Sequence, residues 1–186
     1  MAAVANTTRV PLLERDQVTP EVASVYDALL KARGVVPNMF KTLAHTPVLA
    51  LATAAYLKAL LSDGALPGSY KELIATRLSV LLGSEYAAKA HTLSARQKGA
   101  SEAQIAATRG DYENGPFTEA EKLGFRAAER LHRSPSEITD EFFALLKAHF
   151  TDPQIVEFVA TAAAFELFPR FVDALRIPVT PAPPGV

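Results

Sequence analysis

The chain contains no cysteine among its 186 residues. Because thiol peroxidases and disulfide relays both need cysteine sulfur, this composition excludes both mechanisms. It also excludes cysteine-ligated zinc, iron–sulfur clusters and stabilising disulfides. A chain without cysteine is compatible with the reducing cytoplasm, and we predict a cytoplasmic location.

The chain also lacks a strong net charge and a long apolar run. Its 19 basic and 20 acidic residues leave a net charge of −1, which gives no field to attract nucleic acid or an anionic membrane. The longest apolar stretches, Pro47–Leu61 and Ile155–Phe168, are too short to span a bilayer and carry Lys58, Glu157 and Glu166. The N-terminus has no basic start followed by an apolar run, so no signal peptide is predicted.

Helix start and stop residues recur along the chain, and no segment sustains the apolar–polar alternation of a strand. We therefore predict an all-α fold in a single domain over residues 19–177. Residues 1–18 are predicted to be an N-terminal extension, and residues 178–186 a proline-rich tail. The tail cannot continue a helix, so we expect it to be loose or extended and able to lie on a neighbouring subunit.

Capping residues predict the individual helices. Thr19 and Pro20 start the first helix, and Gly34 ends it. A short segment around Asn38–His45 follows. The further helices are predicted over Pro47–Ser62, after the loop Ala65–Gly68 as far as Leu81, over Ser84–Lys98, from the capping boxes Ser101–Gln104 and Thr118–Glu121, from Thr139 to about Phe150, and from Thr151 to about Leu175.

The segment Gly83-Ser84-Glu85-Tyr86-Ala87-Ala88-Lys89-Ala90-His91 is the most informative part of the sequence. With cysteine at positions 84 and 87 it would have the pattern Gly-Cys-x-Tyr-Cys-x-x-x-His. That pattern, with a glutamate one helix earlier at Glu72, resembles the signature of the carboxymuconolactone decarboxylase and alkylhydroperoxidase D-like (AhpD-like) family. The form Gly-Ser-Glu-Tyr is similar to a cysteine-less subgroup of that family.

Four other segments resemble the same family in their order and spacing: Val36–Phe40, Gly64–Pro67, Lys98–Ser101 and Arg170–Leu175. The resemblance implies an AhpD-like helical bundle that assembles as a homo-oligomer, either a dimer, a trimer or a hexamer. It leaves open the decarboxylase branch, whose chemistry uses no cysteine pair. We predict that no cofactor is needed.

The resemblance also implies a site. Glu72 and His91 would face one pocket edged by Ser84 and Ala87, where they would form an acid–base couple. Tyr86 is predicted to donate a hydrogen bond to a developing oxyanion. Two cations, Arg77 and Lys89, are candidates for holding a substrate carboxylate. No metal site is predicted, because His45, His132 and His149 lack metal-ligand spacing with each other or with His91.

Each candidate also has a purely structural interpretation. Glu72, near a helix start, would favour the helix dipole, and His91 would be a packed core residue. Tyr86 would be a core aromatic side chain, and Ser84 would cap its helix. Ser84 has no Gly-x-Ser-x-Gly elbow, which disfavours a nucleophilic role.

Three functions therefore stay open. The first is a cofactor-free enzyme that uses Glu72 and His91 for decarboxylation or proton transfer on a small carboxylate or lactone. The second is a non-catalytic oligomeric scaffold or ligand-binding protein. The third is a peroxidase-related role without thiol chemistry, which would need an external redox cofactor and would reveal it by a haem or flavin absorbance band.

Overall fold

The computed structural model describes residues 8–183, which form helices and loops without any strand in that range. The all-α prediction is confirmed. The helices are α1 (Pro20–Arg33), α2 (Asn38–Leu43), α3 (Pro47–Leu61), α4 (Gly68–Leu81), α5 (Glu85–Gln97), α6 (Glu102–Arg109), α7 (Glu119–Arg133), α8 (Asp140–His149) and α9 (Asp152–Ala174). Two short 3₁₀ turns, Arg15–Gln17 and Pro135–Glu137, were not predicted. Across residues 8–183, no helix combines the length and apolar composition that crossing a membrane requires.

The caps lie where the sequence predicts them. Both capping boxes form, with Ser101 and Thr118 each accepting from the backbone three residues on. Gly34 ends α1 at φ 73°, a left-handed conformation that suits glycine. Thr19 precedes Pro20 as predicted but makes no capping hydrogen bond through its side chain, so proline supplies the start of α1.

The helices of this fold belong to two compact units, and the candidate site lies in the unit Leu60–Arg170. Helix α4 is buried on nearly every side there, and it packs against α5, α6 and α7. An aromatic cluster fills the space beside it, with the Phe125 ring at centroid distances of 5.0 to 5.5 Å from the rings of Tyr70, Tyr112 and Phe117. This core fixes the axis of α4, which carries the acidic member of the site.

The other unit contains the described residues before Leu60 and those from Phe171 onward. Part of the predicted N-terminal extension packs here, because Tyr26 donates its hydroxyl hydrogen to the carbonyl of Leu13 over 3.1 Å. The proline-rich tail also packs within its own chain. Asn38 donates to the Thr180 hydroxyl over 2.9 Å and to the Pro178 carbonyl over 3.0 Å.

Of the two alternatives for the tail, loose or extended, the loose one is wrong for residues 178–183, because Asn38 at the start of α2 donates hydrogen bonds to Pro178 and Thr180. Residues 1–7 of the predicted extension and residues 184–186 of the predicted tail lie outside the described residues.

Candidate active site

Glu72 and His91 are hydrogen-bonded to each other. Nδ1 of His91 lies 2.7 Å from Oε2 of Glu72. The Glu72 side chain is 1% exposed and the His91 side chain 12% exposed. The structure thus brings the two predicted acid–base residues together beneath the surface of the unit, with the imidazole nearer to solvent than the carboxylate. We call these two residues the Glu72–His91 pair.

The turn between α4 and α5 brings this pair together. Gly83 adopts φ +68°, a left-handed conformation that glycine tolerates, and this allows the chain to turn back after α4. Ser84 then caps α5, its side-chain oxygen accepting from the backbone N–H of Ala87. Helix α5 packs along α4, so that His91 reaches Glu72 across the helix–helix contact.

Lys98, at the C-terminal end of α5, is a third member of the site. Its Nζ donates to Oε1 of Glu72 over 2.6 Å and to the backbone carbonyl of Leu61 over 2.7 Å. The two oxygens of one buried carboxylate therefore have two different partners, an imidazole and an ammonium group. No local sequence pattern points to Lys98 as a site residue, because 26 positions separate it from Glu72.

The environment keeps Glu72 ionised. Burial by itself raises the pKa of a carboxyl group, but the hydrogen bonds and charges of His91 and Lys98 outweigh it, so the pKa of Glu72 lies below its ordinary value of 4.5. A carboxylate without a proton only accepts hydrogen bonds. In the neutral imidazole of His91 the proton therefore sits on Nδ1, and Nε2 carries the free lone pair.

A phenylalanine on α9 fixes the other side of the imidazole. The ring of Phe165 lies edge-on to the His91 ring, with centroids 4.3 Å apart and planes at 74°. Nε2 has no hydrogen-bond partner among the described residues. The arrangement holds an imidazole in one orientation and one tautomer, with its basic nitrogen available, as proton transfer requires.

A protein-family model matches the middle of the chain. Residues 47–130 match the model of the carboxymuconolactone decarboxylase family. This segment is therefore similar to that family. It contains Glu72, His91 and Lys98, whereas Phe165 lies outside it.

Solved structures extend the likeness to nearly the whole chain. An uncharacterized peroxidase-related protein from Silicibacter sp. TM1040 is 22% identical and superposes with a TM-score of 0.85, covering 96% of this chain and 94% of that one. An AhpD-core peroxidase-related protein from Ralstonia eutropha JMP134 is 24% identical, with a TM-score of 0.86 over 93% and 92% of the two chains.

A third structure is a cysteine-to-alanine variant of the debrominase Bmp8 in complex with 2,3,4-tribromopyrrole. It is 23% identical to this chain, with a TM-score of 0.82 and coverage of 96% and 95%. These likenesses confirm the AhpD-like fold, which here carries no cysteine. The sequence matches no curated protein.

The family segment holds Ser84 and Ala87 at the two positions where the signature would have cysteine. Ser84 is 1% exposed and accepts from the backbone N–H of Ala87 over 3.5 Å, and Ala87 is 4% exposed. Tyr86, 7% exposed, precedes His91 by five residues and so projects about 140° around the helix from it. Its role as an oxyanion donor stays a prediction.

The two cations proposed as carboxylate ligands lie in other clusters. The guanidinium of Arg77 donates to Glu129 over 2.8 Å and to the carbonyl of Gly110 over 3.0 Å, and it stacks on the ring of Tyr112. Arg77 follows Glu72 by five residues, which turns it about 140° around α4 from the pair. Lys89, 57% exposed, forms an ion pair with Glu85.

A second imidazole–carboxylate pair lies elsewhere in the same unit. Nδ1 of His132 is 2.6 Å from Oε1 of Glu166, and Arg170 donates to Oε2 of Glu166 over 2.8 Å. Both side chains of this Glu166–His132 pair are 22% exposed. The sequence gives His132 no metal-ligand spacing, and no local pattern pairs it with Glu166, because 34 residues separate them.

Proposed function

We propose that this protein is a cofactor-free acid–base enzyme in which Nε2 of His91 transfers a proton and Glu72 orients the imidazole. The observation that carries the proposal is the 2.7 Å contact between Nδ1 of His91 and the buried carboxyl group of Glu72. A carboxylate in this position fixes the tautomer of the imidazole and stabilises the imidazolium that forms when Nε2 accepts a proton.

The proposed substrate is a small carboxylate or lactone. In proton abstraction, Nε2 takes a proton from the carbon next to a carbonyl group, and the electrons of the C–H bond form an enolate. In decarboxylation, Nε2 of His91 first takes a proton from water, the electrons of the C–C bond form the enolate as CO₂ leaves, and the imidazolium then delivers that proton to the same carbon. Neither route needs a thiol or a redox cofactor.

Burial limits where such a substrate can approach. Glu72 is 1% exposed, whereas His91 is 12% and Lys98 34% exposed. The substrate would therefore meet the imidazole and not the carboxylate. The proposal gives Glu72 an orienting role and His91 the direct contact with substrate. It assigns no role to Arg77, whose guanidinium is engaged with Glu129.

Turnover of carboxylated lactones, carboxymuconolactone among them, tests the proposal. We expect His91→Ala and Glu72→Gln to lower kcat/KM by about a hundredfold or more, the range for losing a general acid–base group. The matched controls are His132→Ala and Glu166→Gln, which remove the same chemical groups from the second pair. Full activity in His91→Ala on a substrate that the wild type converts would refute the proposal.

The burial of Glu72 also favours a second candidate, a non-catalytic scaffold or ligand-binding protein. In that case the ion cluster around Glu72 would serve stability alone. Folded wild-type protein would then convert none of the lactones, while His91→Ala would change only the free energy of unfolding. Two structural neighbours are described as peroxidase-related, so a peroxidase role is the third candidate, and a haem or flavin absorbance band in purified protein would favour it.

We also propose that the protein is a homo-oligomer. Three apolar side chains on one face of α9 are exposed: Val156 at 66%, Val159 at 41% and Leu167 at 58%. An apolar stripe of this kind is commonly covered by a partner subunit. A second copy of the chain is the partner that the family resemblance implies.

A further inference from the structure

Two carboxylates of this unit are built alike. Glu72 holds His91 on one oxygen and Lys98 on the other, and Glu166 holds His132 on one oxygen and Arg170 on the other. They differ in burial. The Glu72 side chain is 1% exposed against 22% for Glu166, and the Lys98 side chain is 34% exposed against 66% for Arg170.

Burial decides how strongly the cation acts on the imidazole. Charges a few ångströms apart interact by about 1 kcal/mol in water and several times more strongly near a protein interior. Lys98 and His91 share one buried carboxylate, so their charges interact through a medium of low dielectric constant. Arg170 and His132 share a carboxylate that solvent reaches, and water screens their interaction.

We propose that Lys98 is a positioning residue that sets the proton affinity of His91 by occupying the second oxygen of Glu72. A buried carboxylate alone stabilises an imidazolium strongly and would retain the proton. An ammonium on the same carboxylate compensates part of that negative charge and repels a second positive charge. The effect keeps the imidazole able to release and accept a proton. This inference rests on the proposed acid–base role of the Glu72–His91 pair.

The ammonium of Lys98 has a fixed position because two acceptors hold it. Besides Oε1 of Glu72, it donates to the carbonyl of Leu61 at the C-terminal end of α3, where the helix dipole is negative. The side chain is thus anchored at both acceptors and is not a freely moving surface lysine.

Among residues 8–183, two helices contribute the charged side chains that are bonded to one another around His91. Helix α4 contributes Glu72, and the end of α5 contributes Lys98. Helix α9 contributes the uncharged ring of Phe165. The lysine of α4, Lys71, directs its ammonium to Glu157 at 3.0 Å. Lys98 is therefore the cation that the structure places on the Glu72 carboxylate.

The test is an NMR titration of the imidazole resonances of His91 and His132, carried out without substrate. We expect Lys98→Met and Lys98→Gln to bind the proton on His91 about tenfold more tightly than the wild type, or more. Lys98→Arg keeps the charge and should behave like the wild type. The resonance of His132 is the internal control. Lys89→Met, which removes a lysine from α5, is the matched control variant.

An unchanged or weaker proton affinity of His91 in both neutral variants would overturn the inference. Lys98→Gln retains an amide that can donate to the Leu61 carbonyl, so it provides a folded neutral variant if Lys98→Met unfolds. Because the titration uses no substrate, its failure is distinct from failure of the proposed function. The latter would appear as full turnover in Glu72→Gln and His91→Ala.

Discussion

Nδ1 of His91 donates a hydrogen bond to Oε2 of Glu72 over 2.7 Å, and the two residues lie 19 positions apart on consecutive helices. Burial raises the pKa of this carboxyl group, but His91 and Lys98 lower it by more, so the pKa lies below its ordinary value. This contact joins the fold to its proposed chemistry, because a fixed ionised acceptor determines which imidazole nitrogen faces the substrate.

The lowered pKa of Glu72 predicts how stability depends on pH. A carboxyl group with a lower pKa in the folded state stabilises the protein above its ordinary pKa of 4.5, and this contribution is lost as the pH falls through the folded value. Glu72→Gln lacks the contribution. Urea denaturation should therefore show a gap in unfolding free energy between wild type and Glu72→Gln that narrows below about pH 4.5.

The control for this pH dependence is Glu85→Gln. Glu85 is 72% exposed and pairs with Lys89 on the surface of α5, where solvent screens the ion pair. We expect the free energy of unfolding of this variant to stay close to that of the wild type at every pH. A gap for Glu72→Gln that stays constant from neutral to acidic pH would contradict the assigned ionisation of Glu72.

Glu157 is predicted to be essential for stability. Its carboxylate accepts hydrogen bonds from the backbone N–H groups of Ala65 and Leu66, and from the ammonium of Lys71, which is 1% exposed. Glu157→Ala would leave a buried charge without its partner, at a cost on the order of 3–5 kcal/mol in the free energy of unfolding. Chemical denaturation measures this loss.

The double variant Lys71→Met with Glu157→Ala is the informative control. It removes the buried charge together with its partner, and an apolar side chain replaces the ammonium, so part of the lost stability should return. A double variant as unstable as the sum of the two single changes would show that the ion pair itself is not the cause.

Any side chain larger than hydrogen at position 124 would clash with Tyr70. A Cβ at this position would overlap the hydroxyl of Tyr70, which donates to the carbonyl of Glu121 over 2.7 Å. We expect Gly124→Ala to cost roughly 1–3 kcal/mol of stability through overpacking. In a Tyr70→Phe background the hydroxyl is absent, so the same substitution should cost clearly less. Equal costs in both backgrounds would refute this packing.

Sequence patterns predicted the helices well because the signals for helix ends are local. Gly34 adopts the left-handed conformation expected at a helix end, and the capping box at Ser101 forms within four residues. The packing of residues 178–183 within their own chain was not predicted, for the same reason. Proline content indicates that no helix continues, but whether the tail packs depends on Asn38, a residue 140 positions away from Pro178.

The candidate site was only partly predictable. Glu72 and His91 were found through a family resemblance, since their spacing alone does not place two helices side by side. Lys98 was missed and Arg77 was selected, because charge type was visible in the sequence but helix direction was not. Arg77 has the suitable charge on another face of α4, whereas Lys98 reaches Glu72 from the end of α5.

The apolar stripe on α9 predicts self-association. We expect the wild type to sediment as an oligomer, and Val159→Glu to shift it toward the monomer by placing a charge in an apolar interface. Leu145→Glu is the matched control, since Leu145 is 46% exposed on α8, outside the stripe. A monomeric wild type at micromolar concentration would contradict the proposed assembly.

Long-range ¹⁵N NMR of the His91 imidazole shows whether Glu72 holds this ring in one tautomer. Once the imidazole is neutral, we expect a proton on Nδ1 and a bare Nε2, with this preference lost in Glu72→Gln. A proton found mainly on Nε2 of His91 in the wild type would rule out the orienting role of Glu72.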